Sequence, residues 1–141
     1  MALRVIVTLL SLIFMKIYAN NFDISEIEES NWRGTYCSSY GDNLFYGNYN
    51  YNFKKNNQIE TYIEYYSDYR CKNKSGQWND IQTKGNYKIK NLYFQNEWVF
   101  YDLEVNLEHL NHPLFFQVKI KNNDMMICNE SKRCSNYVKI K

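Results

Sequence analysis

Trp98-Val-Phe-Tyr-Asp-Leu-Glu-Val-Asn-Leu107, followed by Leu114-Phe-Phe-Gln-Val-Lys-Ile-Lys121, decides how this chain folds. In the second stretch Phe116, Val118 and Ile120 alternate with Gln117, Lys119 and Lys121, the period-two pattern of a strand with one face buried. In the first, Val99, Tyr101, Leu103 and Val105 oppose Trp98, Phe100 and Asp102. The polar loop between them ends at Pro113, the only proline in the chain. Asn122-Asn123-Asp124 is turn chemistry, and Met125–Cys128 with Cys134–Ile140 then forms a closing hairpin.

Working back from there, Tyr49, Tyr51 and Phe53 alternate with Asn50 and Asn52. Lys55-Asn-Asn57 turns the chain into Ile59–Tyr66, with Ile59, Thr61, Ile63 and Tyr65 on one face. Trp32–Ser38 and Gly85–Ile89 complete eight strands, with a polar loop expected over Lys72–Lys84. An acidic lead-in, Asn21–Ser30, is spaced for one or two helical turns, with Ser25 and Glu28 placed as a capping box. Eight antiparallel strands joined mostly by short turns predict an all-β fold. The expected form is a closed eight-stranded up-and-down barrel, with a β-sandwich as the alternative. Closure is favoured because it removes exposed strand edges.

Residues 1–19 have the parts of a secretory signal: Arg4, an uncharged apolar run over Val5–Met15, and small Ala19 at the cut. Lys16 and Ile17 fit a relaxed cleavage site, and retention as an anchor is the rival reading. The apolar run is well short of the roughly 20 residues a spanning helix needs. Cleavage leaves one domain over residues 20–141, expected to be secreted, extracellular or periplasmic, with no membrane association. It also removes Arg4 and Lys16, taking Lys plus Arg from 17 to 15, equal to Asp plus Glu at 15. A neutral domain without a basic stripe is a poor nucleic-acid binder.

All 4 cysteines follow the cut. An even number in an exported chain reads as two disulfides, and no close C-x-x-C pair suggests zinc. Of three connectivities, Cys37–Cys71 with Cys128–Cys134 is favoured: the first pair flanks a strand pair, the second a short turn.

No motif for catalysis stands out. His109 and His112 lack a third ligand nearby, and Glu60, Glu64, Asp68, Asp102 and Glu104 read as solvated strand faces and loops. No phosphate loop, G-x-S-x-G or H-E-x-x-H occurs. The expectation is a protein that is not an enzyme and has no cofactor. The aromatic load is unusual, with 14 Tyr, 8 Phe and 3 Trp. Trp32, Tyr51, Phe53, Tyr65, Tyr87, Trp98, Phe100 and Phe116 are the candidates for a ligand pocket or the core of a barrel. Asn73-Lys-Ser75 and Asn129-Glu-Ser131 are sequons for N-glycosylation in a eukaryotic host.

Trp32-Arg-Gly-Thr-Tyr-Cys37, Tyr51-Asn-Phe53, Asn57, Tyr65-Tyr-Ser-Asp-Tyr-Arg-Cys71 and Gly85-Asn-Tyr-Lys-Ile89 form a recognisable series. Over residues 31–90 it resembles the extracellular lipocalin-like barrel domain of the adenomatosis-polyposis-coli-down-regulated family, whose best-known members are membrane-anchored Wnt inhibitors. The resemblance implies a calycin-type barrel, a Cys37–Cys71 bridge and a lipid or other hydrophobic ligand. That family carries two such domains and a C-terminal anchor, which this sequence lacks, so Wnt inhibition is not carried over. The expected function is a secreted lipocalin-like protein binding a small hydrophobic molecule. The alternative is an interaction module for an extracellular protein or glycan, without a cavity.

Overall fold

The computed structural model describes residues 26–40, 45–75 and 81–141. The signal segment, the Ser25 cap, and Gly76 and Trp78 of the expected polar loop lie outside the described residues. Nine strands follow in chain order: β1 (Ser30–Gly34), β2 (Ser38–Tyr40), β3 (Phe45–Lys54), β4 (Gln58–Tyr66), β5 (Ile81–Gln95), β6 (Trp98–Leu107), β7 (Leu114–Lys121), β8 (Asp124–Asn129) and β9 (Cys134–Ile140). Each of β3 to β9 pairs antiparallel with the next, and β1 lies between β9 and β3. The result is a closed eight-stranded barrel, with β2 added beside the upper part of β3. The barrel expectation holds over the sandwich.

Closure is staggered. Register partners run from Ile81 through Ile63 to Tyr49, whose carbonyl lies against Gly34. They continue through Tyr137, Met125, Ile120 and Val99, and return to β5 at Phe94 instead of Ile81. With the extra residue at Lys90 discounted, that is a stagger of about a dozen residues, which tilts the strands strongly and widens the barrel.

Two strands differ from the sequence expectation. The first ends at Gly34 instead of Ser38. Thr35 still donates its N–H to the Asn136 carbonyl of β9 at 2.9 Å. Tyr36 and Cys37 then leave the wall towards Cys71, so only Ser38–Tyr40 pairs again. The fourth expected strand, Gly85–Ile89, is in fact the 15-residue β5, and the expected loop Lys72–Lys84 gives its last residues to it. The register shift between Ile89 and Asn91 resets the alternation, so the inner face passes from Ile89 to Leu92.

The turns at one end follow from asparagine. Asn56 and Asn57, and Asn96 and Glu97, all have positive φ, from 50° to 67°. Paired positive φ at the two central residues is the type I′ geometry that matches strand twist, and Asn tolerates it well. The β3–β4, β5–β6 and β7–β8 turns share this end, here called the floor. The acidic lead-in is present as a single turn at Glu26–Glu29, and Ile27 from it is fully buried. Ser30 donates its hydroxyl to the Ile27 carbonyl, and Trp32 Nε1 donates to that hydroxyl at 2.6 Å. Apolar plug and first strand are thereby tied together.

The opposite end, the rim, carries both disulfides, Cys37–Cys71 and Cys128–Cys134. The favoured connectivity is the one formed. With no free cysteine, the chain suits an oxidising compartment. No helix among the described residues is long and apolar enough to cross a membrane.

Candidate functional site: the barrel lumen

Register assigns every strand residue to the inside or the outside. The lower and middle lumen is solid. Phe53, Ile59, Tyr101, Leu103, Val105, Val118, Ile120 and Met125 are at most 2% exposed. Tyrosine and phenylalanine rings interlock through it. Tyr51 meets Tyr137 edge-on at 5.2 Å between centroids, Phe53 meets Tyr87 edge-on at 5.3 Å, and Tyr49 meets Tyr51 at 5.1 Å. Such edge-to-face contacts add to the burial term and fix ring orientation.

The hydroxyls of this stack are the lumen's polar groups. Those of Tyr51 and Tyr137 share a hydrogen bond. Burial, then the neighbouring Tyr137 and Tyr49 hydroxyls, holds Tyr51 well above the usual phenol range. Burial, with the Glu28 carboxylate nearby, pushes Tyr87 up to about 12. Its hydroxyl oxygen is buried without a hydrogen-bond partner. Tyr51 and Tyr87 therefore stay neutral at physiological pH.

Towards the rim the inward side chains change character. Tyr49, Leu114 and Phe116 are half-buried and pack on the core, as does Leu110 of the β6–β7 loop, and Ile63, the register partner of Tyr49, is half-buried on the same face. Together they form an apolar collar above the sealed aromatic layer. Rim residues on the inward side that are polar, Asn129 and Ser135, are uncharged.

Of the sequence candidates, Trp32, Tyr51, Phe53, Tyr65 and Tyr87 face inward and are buried, and Phe116 faces inward at the collar. Trp98 and Phe100 do not belong with them. They stand on the outer wall: Phe100 stacks on Tyr93 at 4.8 Å and 5°, and Lys119 lies 5.1 Å from the Trp98 ring centre. Both faces of β6 are aromatic, so aromatic content alone points to the wrong one. The alternation Val99, Tyr101, Leu103, Val105 marks the inner face. Tyr49, Tyr101 and Tyr137 are lumen residues that the sequence candidates omit. The period-two pattern around Tyr49 and Tyr101 was the available signal.

The charged candidates lie elsewhere. Glu60 pairs with Lys54 at 2.6 Å, and Glu64 with Lys74 at 2.8 Å and Arg33 at 3.5 Å, all on the outside. Tyr66 bridges that group, accepting from Arg33 and donating to Glu64. Asp102 accepts from Asn91 on the outer wall, and Glu104 pairs with Lys90. Asp68 caps its own loop, accepting backbone N–H groups of Arg70, Lys72 and Asn73. His109 and His112 are exposed in the β6–β7 loop. Among the described residues no three His, Cys, Asp or Glu side chains gather as a metal site would require. A groove of about 690 Å³ opens beside Gly85 of β5, but its walls carry Lys54, Glu60, Lys84 and Glu108, a mixed polar surface.

The chain matches no protein-family model, and no curated protein or solved structure is significantly similar to it.

Proposed function

We propose that this is a secreted binding protein that takes a small hydrophobic molecule at the rim half of its barrel. The observation that carries the reading is the collar of half-buried apolar side chains, Tyr49, Ile63, Leu114 and Phe116, above a lumen otherwise filled by rings. Binding sites of this kind are concave, largely apolar and preformed, with a few polar groups to orient the ligand. The two staples beside the collar hold its geometry and fit an exported protein. The implied kinship with lipocalin-like barrels belongs to the same proposal. So does glycosylation: Asn73 is exposed in the β4–β5 connection and Asn129 is exposed at the rim end of β8. Fluorescent apolar probes titrated into the protein, and into a Leu114→Arg variant, test the reading. Micromolar binding that the variant loses supports it. Absence of binding to any apolar probe by the folded protein overturns it.

One observation favours a second reading, an interaction module. Tyr36 and Tyr69 are 76% and 62% exposed on either side of the Cys37–Cys71 bridge, with Arg70 lying over the Tyr69 ring. Tyrosine and arginine on a stapled loop are the residue types that anchor protein interfaces. Capture of an extracellular protein or glycan that Tyr36→Ser and Tyr69→Ser together abolish would establish it.

A further inference from the structure

The inward positions of the described strands are almost free of charge. They hold aromatic and aliphatic side chains, Ser30, Thr61, Thr83, Asn129 and Ser135, and the hydroxyls of Tyr49, Tyr51, Tyr65, Tyr87, Tyr101 and Tyr137. Lys139 is the exception. It sits at the floor as an exposed side chain, its ammonium 5.7 Å from the Trp32 ring centre. Among the described residues a second charge near the lumen, the Glu28 carboxylate felt by Tyr87, is also at the floor. The sealed aromatic layer separates both from the collar.

We infer that the ligand of this barrel is an electrically neutral lipid bearing a hydroxyl or carbonyl group, not a fatty-acid anion. The inference rests on the binding reading above and names its ligand class. A carboxylate drawn into this lumen would leave water and meet no cation but Lys90, which borders Phe116 and is already paired with Glu104, and an unpaired buried charge is strongly disfavoured. A hydroxyl or carbonyl meets the opposite situation. Tyrosine hydroxyls that remain protonated can donate to it, and the Tyr51–Tyr137 pair lies directly beneath Tyr49 of the collar. Burial keeps the Tyr51 phenol neutral across the physiological range, so it supplies a hydrogen bond and no charge. The ring walls accept the hydrocarbon part.

Three probes of equal chain length separate the outcomes: a long-chain fatty alcohol, the methyl ester of the matching acid, and the acid itself. At pH 7.5 the alcohol and ester should bind at least about tenfold more tightly than the acid. The acid's affinity should rise about tenfold for each unit of pH lowered towards its own pKa, since only the protonated form enters. Tyr51→Phe should weaken the alcohol several-fold while leaving a plain hydrocarbon probe unchanged, and Ile63→Lys should shift preference towards the acid. Equal or tighter binding of the acid at pH 7.5 overturns the inference and leaves the binding reading standing. Failure of all three probes overturns that reading, and the inference with it.

Discussion

Replacing Gly85 with alanine should damage the barrel far more than adding one methyl to a strand normally does. A Cβ at this position would lie 2.1 Å from the Asn106 carbonyl oxygen and 3.0 Å from both the Asn106 carbonyl carbon and Leu107 Cα. All three atoms belong to the β6 backbone, so no side chain can swing away. The two strands must separate where Gly85 is the register partner of Leu107. Overpacking costs about 1–3 kcal/mol, and each ladder hydrogen bond strained by the separation adds about 1 kcal/mol. A total of about 3 kcal/mol or more is a large share of the roughly 5–15 kcal/mol that holds a domain together. For a domain of this size that corresponds to a fall in Tm of about 10 °C. Urea denaturation followed by circular dichroism, with thermal melts in parallel, measures it. Thr83→Ala serves as a control on the same face of the same strand. If Gly85→Ala loses less than about 0.5 kcal/mol, the close approach of β5 and β6 does not exist as described.

Ile27→Ala should cost about 3 kcal/mol, the range for a buried aliphatic truncated to leave a cavity, read from the urea midpoint. A loss near zero would mean the Glu26–Glu29 turn does not plug the floor. Removing Cys37–Cys71 as a double serine variant should cost about 4 kcal/mol, and removing Cys128–Cys134 about 2, because the first closes a longer loop, with separations of 34 against 6. Unfolding of the two variants side by side checks the order. At Glu64 burial acts to raise the carboxyl, but hydrogen bonds from Lys74 and Tyr66 and the nearby Arg33 outweigh it and hold the group below its usual value. The stability it contributes is therefore full above the unfolded pKa of about 4.3 and is lost as pH falls through the lower folded value. Glu64→Gln should remove less than about 1 kcal/mol at pH 7, since the pair is partly exposed. It should also flatten the acid limb of a stability profile from pH 6 to 2.5. When the protein is secreted from eukaryotic cells, N-glycosidase should lower its mass, and Asn73→Gln with Asn129→Gln should abolish that shift.

The strands that could be read were those whose alternation is uninterrupted. Trp98–Leu107 and Leu114–Lys121 each hold their apolar pattern without a break, and β6 and β7 begin and end where the pattern does. The long β5 could not be bounded because the bulge at Lys90 puts Ile89 and Leu92 on one face, a spacing that no period-two template accepts. Gly34 also hides a boundary: the wall is left there because β1 must pass close to the Tyr49 carbonyl, only 2.8 Å from an added Cβ, a tertiary constraint. Six of the lumen aromatics, Trp32, Tyr51, Phe53, Tyr65, Tyr87 and Phe116, were legible as members of half-buried strands. Trp98 and Phe100 were misassigned because alternation gives two faces and does not say which is inside. That choice depends on the neighbours β5 and β7, and on Lys119 and Tyr93 covering the outer rings.

β1 has a consequence for how the protein is made. This five-residue strand is the clasp that joins β3 to β9, pairing Trp32 with Tyr51 on one side and Lys139 on the other. The other barrel neighbours are consecutive in the chain, so each hairpin can form as soon as it is synthesised. The β1–β9 seam links nearly the first and the last residues of the domain, and long-range pairing of this kind is slow because loop closure precedes its reward. Until β9 is in place, the chain is an open meander with unsatisfied edges on β8 and on the side of β1 that faces away from β3. The period of greatest exposure to aggregation therefore ends only when β9 joins β1. Truncating the C-terminus by a handful of residues should be far more harmful than its distance from the lumen collar would suggest.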